Sequence, residues 1–193
     1  MTTIQAIKRR DRWADWAVVA LVVIALIVGA ILREVTLSRA VRFTMSSDGI
    51  SGASPAGWTR EFASDPLLRT RNPRGGAFNT TLELRSRPLA ADADLAIVLD
   101  TLAFKRGGGV AAYKTLNTDE VLVNGEVALR RTFTYVYEDQ NPYVDRLPVV
   151  VKGVDLALRD ADGRVIVVTF LAGADDFAAN YRYFSALVVS LQF

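Results

Sequence analysis

Residues 121–135 read Val-Leu-Val-Asn-Gly-Glu-Val-Ala-Leu-Arg-Arg-Thr-Phe-Thr-Tyr, two alternating runs hinged on Asn124-Gly125. Asn-Gly supplies the two consecutive left-handed residues of a tight hairpin turn. The stretch therefore predicts antiparallel strands, with Val121 and Val123 leading in and Val127, Leu129, Phe133 and Tyr135 leading out. A second hairpin follows, from 148–159 through a turn at Asp162-Gly163 into 164–171. Two such units with no intervening helix predict an antiparallel sheet.

Working outward, 39–45 alternates with Val41, Phe43 and Met45 on one face and reads as a first strand. Ser, Gly and Asp crowd 46–57, which reads as a loop closing at Pro55-Ala56-Gly57, with Trp58 behind it as a core anchor. A short strand at 59–62 precedes 65–76, where Arg69, Arg71, Pro73 and Arg74 read as an exposed basic loop. Alternation returns at 78–87, with Phe78, Thr80, Leu82 and Leu84 on one face, and a separate strand is predicted at 111–116.

Helical spacing occurs twice. Leu95, Val98, Leu99 and Leu102 follow a cap at Asp92 or Asp94, Lys105 and Arg106 suit the C-terminal dipole, and Gly107 to Gly109 end the helix. Phe177, Tyr181, Phe184 and Val188 mark a last helix over about 175–187, with Asp175 or Asp176 as its cap. The fold class is α+β, an antiparallel sheet with helices covering its apolar face. No internal repeat and no linker to a second domain interrupts it.

Ahead of this domain lies an apolar run, 16–32, behind a basic tail. As a helix, 17 residues rise about 26 Å, close to a hydrocarbon core of ~30 Å, and Trp13 extends the span. Trp13 and Trp16 share a helical face at the boundary, where indole rings favour the headgroup layer. Lys8, Arg9, Arg10 and Arg12 hold the N-terminus in the cytoplasm. The predicted organisation is a cytoplasmic tail (1–15), a single transmembrane helix (16–32) and an extracytoplasmic domain (33–193) in the cell membrane. A cleaved secretory signal is the competing reading, since Val28 and Ala30 fit the small-residue rule. Against it, the apolar run continues through Ile31 and Leu32. Ala25 and Gly29, four apart, form a candidate helix-packing surface.

Composition removes whole classes of function. Residues 1–34 hold five basic and three acidic side chains, so the net charge of +2 is theirs, and the rest balances 18 against 18. A neutral domain lacks the clustered cations that a nucleic-acid backbone requires. Without His or Cys there is no thiolate, disulfide, imidazole-bound haem or His-dependent triad. No nucleophile elbow or phosphate loop occurs, and no cofactor or metal is predicted. Asp160, Asp162 and Gly163 resemble the start of a calcium loop but lack its remaining oxygens, so a hairpin turn is the reading taken. Glu138 and Asp139 suit acid/base work only if they converge, and adjacent residues on a strand end face opposite ways. Arg69, Arg71 and Arg74 form the candidate partner-contact loop, able to fork onto a carboxylate or phosphate.

Four stretches carry a family likeness: Pro55-Ala56-Gly57-Trp58, the mid-domain amphipathic helix, Val123-Asn124-Gly125-Glu126, and Val167-Val168-Thr169-Phe170 through Phe177 and Phe184 to the 190–193 end. On these the chain resembles the PsbP-like fold family of extrinsic photosystem II proteins. The resemblance implies an α/β/α sandwich and a non-enzymatic accessory, stabilising or assembly subunit of a larger membrane complex, photosynthetic or respiratory. Its partners would be other membrane subunits and the lipid bilayer. The histidines that ligate metals in some relatives are missing here. The alternative function is an anchored receptor that binds a small anion between the sheet and the 69–74 loop, and a carboxylate-based hydrolase ranks third.

Overall fold

A computed structural model describes residues 16–29, 39–46, 49–89, 93–139, 147–160 and 162–193. The chain divides into two units, Met1–Arg39 and Ala40–Phe193. In the first, residues 16–29 form helix α1. Its side chains are apolar all round and exposed, from Trp16 at 70% to Val28 at 47%. Among the described residues no helix is long and apolar enough to cross a membrane. Trp13 and the predicted continuation at 30–32 lie outside the described residues.

The second unit has nine strands and two helices among its described residues: β1 Ala40–Met45, β2 Ile50–Pro55, β3 Thr59–Phe62, β4 Leu68–Arg71, β5 Thr81–Arg87, α2 Leu95–Gly107, β6 Ala111–Val123, β7 Glu126–Tyr137, β8 Val149–Arg159, β9 Val165–Gly173 and α3 Phe177–Ser190. Seven strands make one sheet in the order β3-β4-β5-β9-β8-β7-β6, antiparallel throughout, while β1 and β2 pair separately. Asn124 (φ 51°) and Gly125 (φ 90°) form the turn between β6 and β7 as predicted.

Period-two alternation gives the sheet two unlike faces. Leu82 and Leu84 of β5, Val154, Leu156 and Leu158 of β8 and Ile166, Val168 and Phe170 of β9 point one way. They pack against Phe184, Leu187 and Val188 of α3 and against Phe43, Met45 and Ile50 of the β1-β2 hairpin. On the other face Ala157, Val165 and Val167 meet Leu99 of α2. Two helices sandwich the sheet. Trp58 packs at the edge of the larger core, with its ring 5.2 Å from that of Tyr183.

Several expectations are corrected. The predicted loop 46–57 contains β2, because Ile50, Gly52 and Ser54 are buried beside α3 and the backbone must then pair; β1 supplies the partner. The predicted basic loop 65–76 contains β4, whose Leu68 and Thr70 are buried while Arg69 and Arg71 take the opposite face. The separate strands at 111–116 and 121–123 are one strand, β6, which keeps its pairing with β7 across two register shifts. Asp94 caps α2, its carboxylate accepting from the Ala96 N–H at 2.9 Å, while Asp92 lies outside the described residues. Asp176 occupies the N-cap of α3 but makes no side-chain capping bond, since its backbone is already helical at φ −91°, ψ −8°.

Candidate functional site

On the second face of the sheet, at the C-terminal end of α2, side chains of odd-numbered strand residues stand in registered rows, most of them buried. One row runs Arg69, Glu83, Thr169, Asp155, Arg131 across β4, β5, β9, β8 and β7, and the next runs Arg71, Thr81, Leu171, Gly153, Phe133. The centre of the first row is a buried ion pair. Asp155, fully buried, accepts from Arg106 of α2 at 2.7 and 3.1 Å and from the Thr169 hydroxyl at 2.6 Å. Arg106 also lies 4.1 Å above the Phe133 ring. Burial would lower the Arg106 pKa, but the Asp155 carboxylate outweighs it and raises it further. The predicted dipole-complementing arginine is therefore a clamp that pins the C-terminal turn of α2 to the sheet. Phe133 lies across Gly153, where any Cβ would strike its ring and come within 2.9 Å of Leu171. Only glycine lets that ring lie flat on β8.

Toward the β3 edge the same face carries a chain of alternating charge. Arg69 reaches Glu61 at 4.0 Å and Glu83 at 2.7 Å; Arg85 reaches Glu83 at 2.6 Å and Asp65 at 3.2 Å; and Arg87 closes on Asp65. Burial would raise the Asp65 pKa, but Arg87 and Arg85 hold its carboxyl below the usual range. These six side chains are neutral together, three against three. Arg71, exposed one register row away, has no ion pair among the described residues.

Between these two features lies a half-open cleft of about 420 Å³, lined by Arg69, Arg71, Phe78, Asn79, Glu83, Val110, Tyr135, Tyr137 and Leu171 among others. Its size falls in the range of small-ligand pockets. Phe78 and Tyr137 meet edge-on at 5.2 Å and form one apolar wall. Tyr135 is buried, and no hydrogen bond to a described residue satisfies its hydroxyl. Burial above all pushes its pKa up to about 12.

That shift gives a testable pH effect. The folded state holds the phenol proton more tightly than the unfolded chain, so the stability it contributes is complete below the ordinary value of 10.0 and lost as pH rises toward about 12. Ultraviolet titration should show one tyrosine ionising near the top of that window, and Tyr135→Phe should remove that phase.

The structure sorts the sequence candidates. Arg69 and Arg71 line the cleft, Arg69 being committed to carboxylates and Arg71 not. Arg74 is exposed and is absent from the cleft, its backbone N–H donating to Asn72 Oδ1 at 3.0 Å. Glu138 and Asp139 follow the end of β7 at Tyr137, and both border a second cleft of about 480 Å³. Asp160 is spent on Arg164, accepting its backbone N–H and its Nε at 2.8 Å each, which makes 160–164 a hairpin turn. On α1, Ala25 and Gly29 lie about one turn apart, with open space around Gly29. Sequence reading missed Glu83, Tyr135 and Tyr137 as site residues. The i, i+2 spacing of the tyrosines signals one shared face, but nothing local says that a cleft forms beside them.

This arrangement, a seven-stranded antiparallel sheet between two helices with a separate leading hairpin, defines a PsbP-like α+β fold. The chain is similar to cyanobacterial PsbP (CyanoP) from Synechocystis sp. PCC 6803, at 14% identity and a TM-score of 0.56, over 79% of this chain and 91% of that one. It is also similar to the Ran-binding protein Mog1p of Saccharomyces cerevisiae, at 11% identity and a TM-score of 0.52, over 80% and 95%. No protein-family model and no curated protein matches it in sequence.

Proposed function

We propose that this protein is a single-pass membrane protein, N-terminus cytoplasmic, whose PsbP-like domain works outside the membrane as a non-enzymatic accessory or assembly subunit of a larger membrane complex. The observation that carries this reading is α1. Val18, Leu21, Val22, Ile24, Leu26 and Ile27 are exposed around its whole circumference. A helix apolar on all sides has no stable place in water. The sequence extends that run through Ala30, Ile31 and Leu32 and places four cations before it. The PsbP-like fold supports the accessory role, and Trp16, Ala25 and Gly29 are the residues offered to headgroups and neighbouring helices.

Extraction in mild detergent followed by sizing tests it. The protein should elute far above 21.1 kDa, together with other membrane subunits. A lone chain in every preparation, or a pool that needs no detergent, overturns it.

A second reading, an anchored receptor for a small anion, is favoured by one observation: the cleft carries a guanidinium, Arg71, that no acid among the described residues neutralises. An anion that raises the melting temperature of the protein would support it.

A further inference from the structure

We propose that the cleft binds an elongated apolar monocarboxylate, its carboxylate forked onto Arg71 and its body lying over Leu171 against Phe78, Tyr135 and Tyr137. This assignment rests on the receptor reading and narrows it to one chemical class.

Charge sets the head group. Arg69 and Arg85 are held by Glu83, whose side chain is only 9% exposed, and the whole Glu61-Arg69-Glu83-Arg85-Asp65-Arg87 chain is neutral. Among the described residues lining the cleft one uncommitted cation remains, which matches one negative charge. A phosphate dianion would bring its second charge close to Glu83 with no further cation among those residues to meet it. A guanidinium binds a carboxylate through two parallel N–H donors, a geometry open to Arg71 because no described carboxylate uses them.

Topology sets the shape. Arg71 is on β4 and Tyr135 on β7, four strand spacings apart, or about 19 Å between strand axes. The row that starts at Arg71 offers Thr81 and Leu171 and ends where the Phe133 ring covers Gly153, so the floor leading from the charge is mostly apolar. At its far end stand the Phe78–Tyr137 pair and Tyr135, a phenol that stays neutral at physiological pH and is free to donate. A head-and-tail ligand fits this layout; a compact ion would leave the aromatic end unused.

The test uses the full chain in detergent micelles, titrated with phenylbutyrate, its neutral amide, inorganic phosphate, and a tetrapeptide ending in Leu-Phe with a free or an amidated C-terminus. Carboxylate forms should bind at least about tenfold more tightly than their amides, the scale of one charge-assisted paired contact. Arg71→Gln should abolish that preference, bringing carboxylate binding down to the level of the amide. Arg71 is exposed and pairs with nothing described, so this variant folds. Tighter binding of the free-terminus peptide assigns the carboxylate to the chain end of a partner, and tighter binding of phenylbutyrate assigns it to a free metabolite; either supports the site. Phosphate binding through Arg71 without carboxylate preference overturns this assignment and leaves the receptor reading standing. Failure of every probe overturns both, with the sizing result unaffected.

Discussion

Asp155→Ala should lower the unfolding free energy of the domain by about 3–5 kcal/mol, the usual cost of stranding one partner of a buried ion pair. Asp155 is fully buried and Arg106 is largely so, with a side chain 14% exposed. Removing the carboxylate leaves a guanidinium at the centre of the sheet with two donors unmet and deprives the Thr169 hydroxyl of its acceptor. That loss is a large share of the total stability of a domain this size, roughly 5–15 kcal/mol. The sharper check is the double variant. Arg106→Met with Asp155→Ala removes both charges, so it should be more stable than Asp155→Ala alone despite carrying one more substitution. Urea unfolding followed by circular dichroism measures both. If the double variant is the less stable of the two, the pair is not an electrostatic clamp.

Phe170→Ala should cost about the same, 3–5 kcal/mol, for an unrelated reason. Phe170 is fully buried on β9, and its ring lies 5.2 Å from Phe177, 6.0 Å from Tyr181 and 5.8 Å from Phe184. Three aromatic residues of α3 therefore converge on one side chain of the sheet. Deleting it opens a cavity that the rigid rings around it cannot collapse into, and loses the ring-ring geometry as well. Phe170→Leu keeps most of the volume and should cost clearly less. Hydrogen exchange adds a spatial check, because the loss of protection should be greatest in α3. Uniform loss across the sheet would argue that Phe170 does not dock this helix.

Much of the architecture is legible residue by residue. Asn124-Gly125 fixes a turn because few other pairs tolerate two positive φ values in succession, and the alternation on either side then dictates which side chains share a face. Leu95, Val98, Leu99 and Leu102 place α2 for the same kind of local reason. Local signals fail where pairing is decided at long range. β2 is rich in Ser and Gly, and it is a strand because β1 and α3 bury it. β4 carries two arginines in four residues, and it is a strand because β3 and β5 hold it from both sides.

For the site, arginine chemistry is visible in sequence and its consequence is not. Arg69, Arg71 and Arg74 look alike along the chain. In the fold, Glu83 from the neighbouring strand takes Arg69, the 72–75 turn carries Arg74 away, and Arg71 alone is left facing a cavity whose aromatic wall comes from residues 78, 135 and 137.

What the amino-acid sequence determines by itself is whatever depends on neighbours a few residues away: the apolar run at 16–32, the turns, the helix at 95–107, the neutral and His-free chemistry. Tertiary structure alone decides which charges are cancelled, since partners such as Arg106 and Asp155 lie 49 residues apart and meet only when α2 is laid on β8. It also decides which part of the second sheet face is left open, because that depends on where α2 stops.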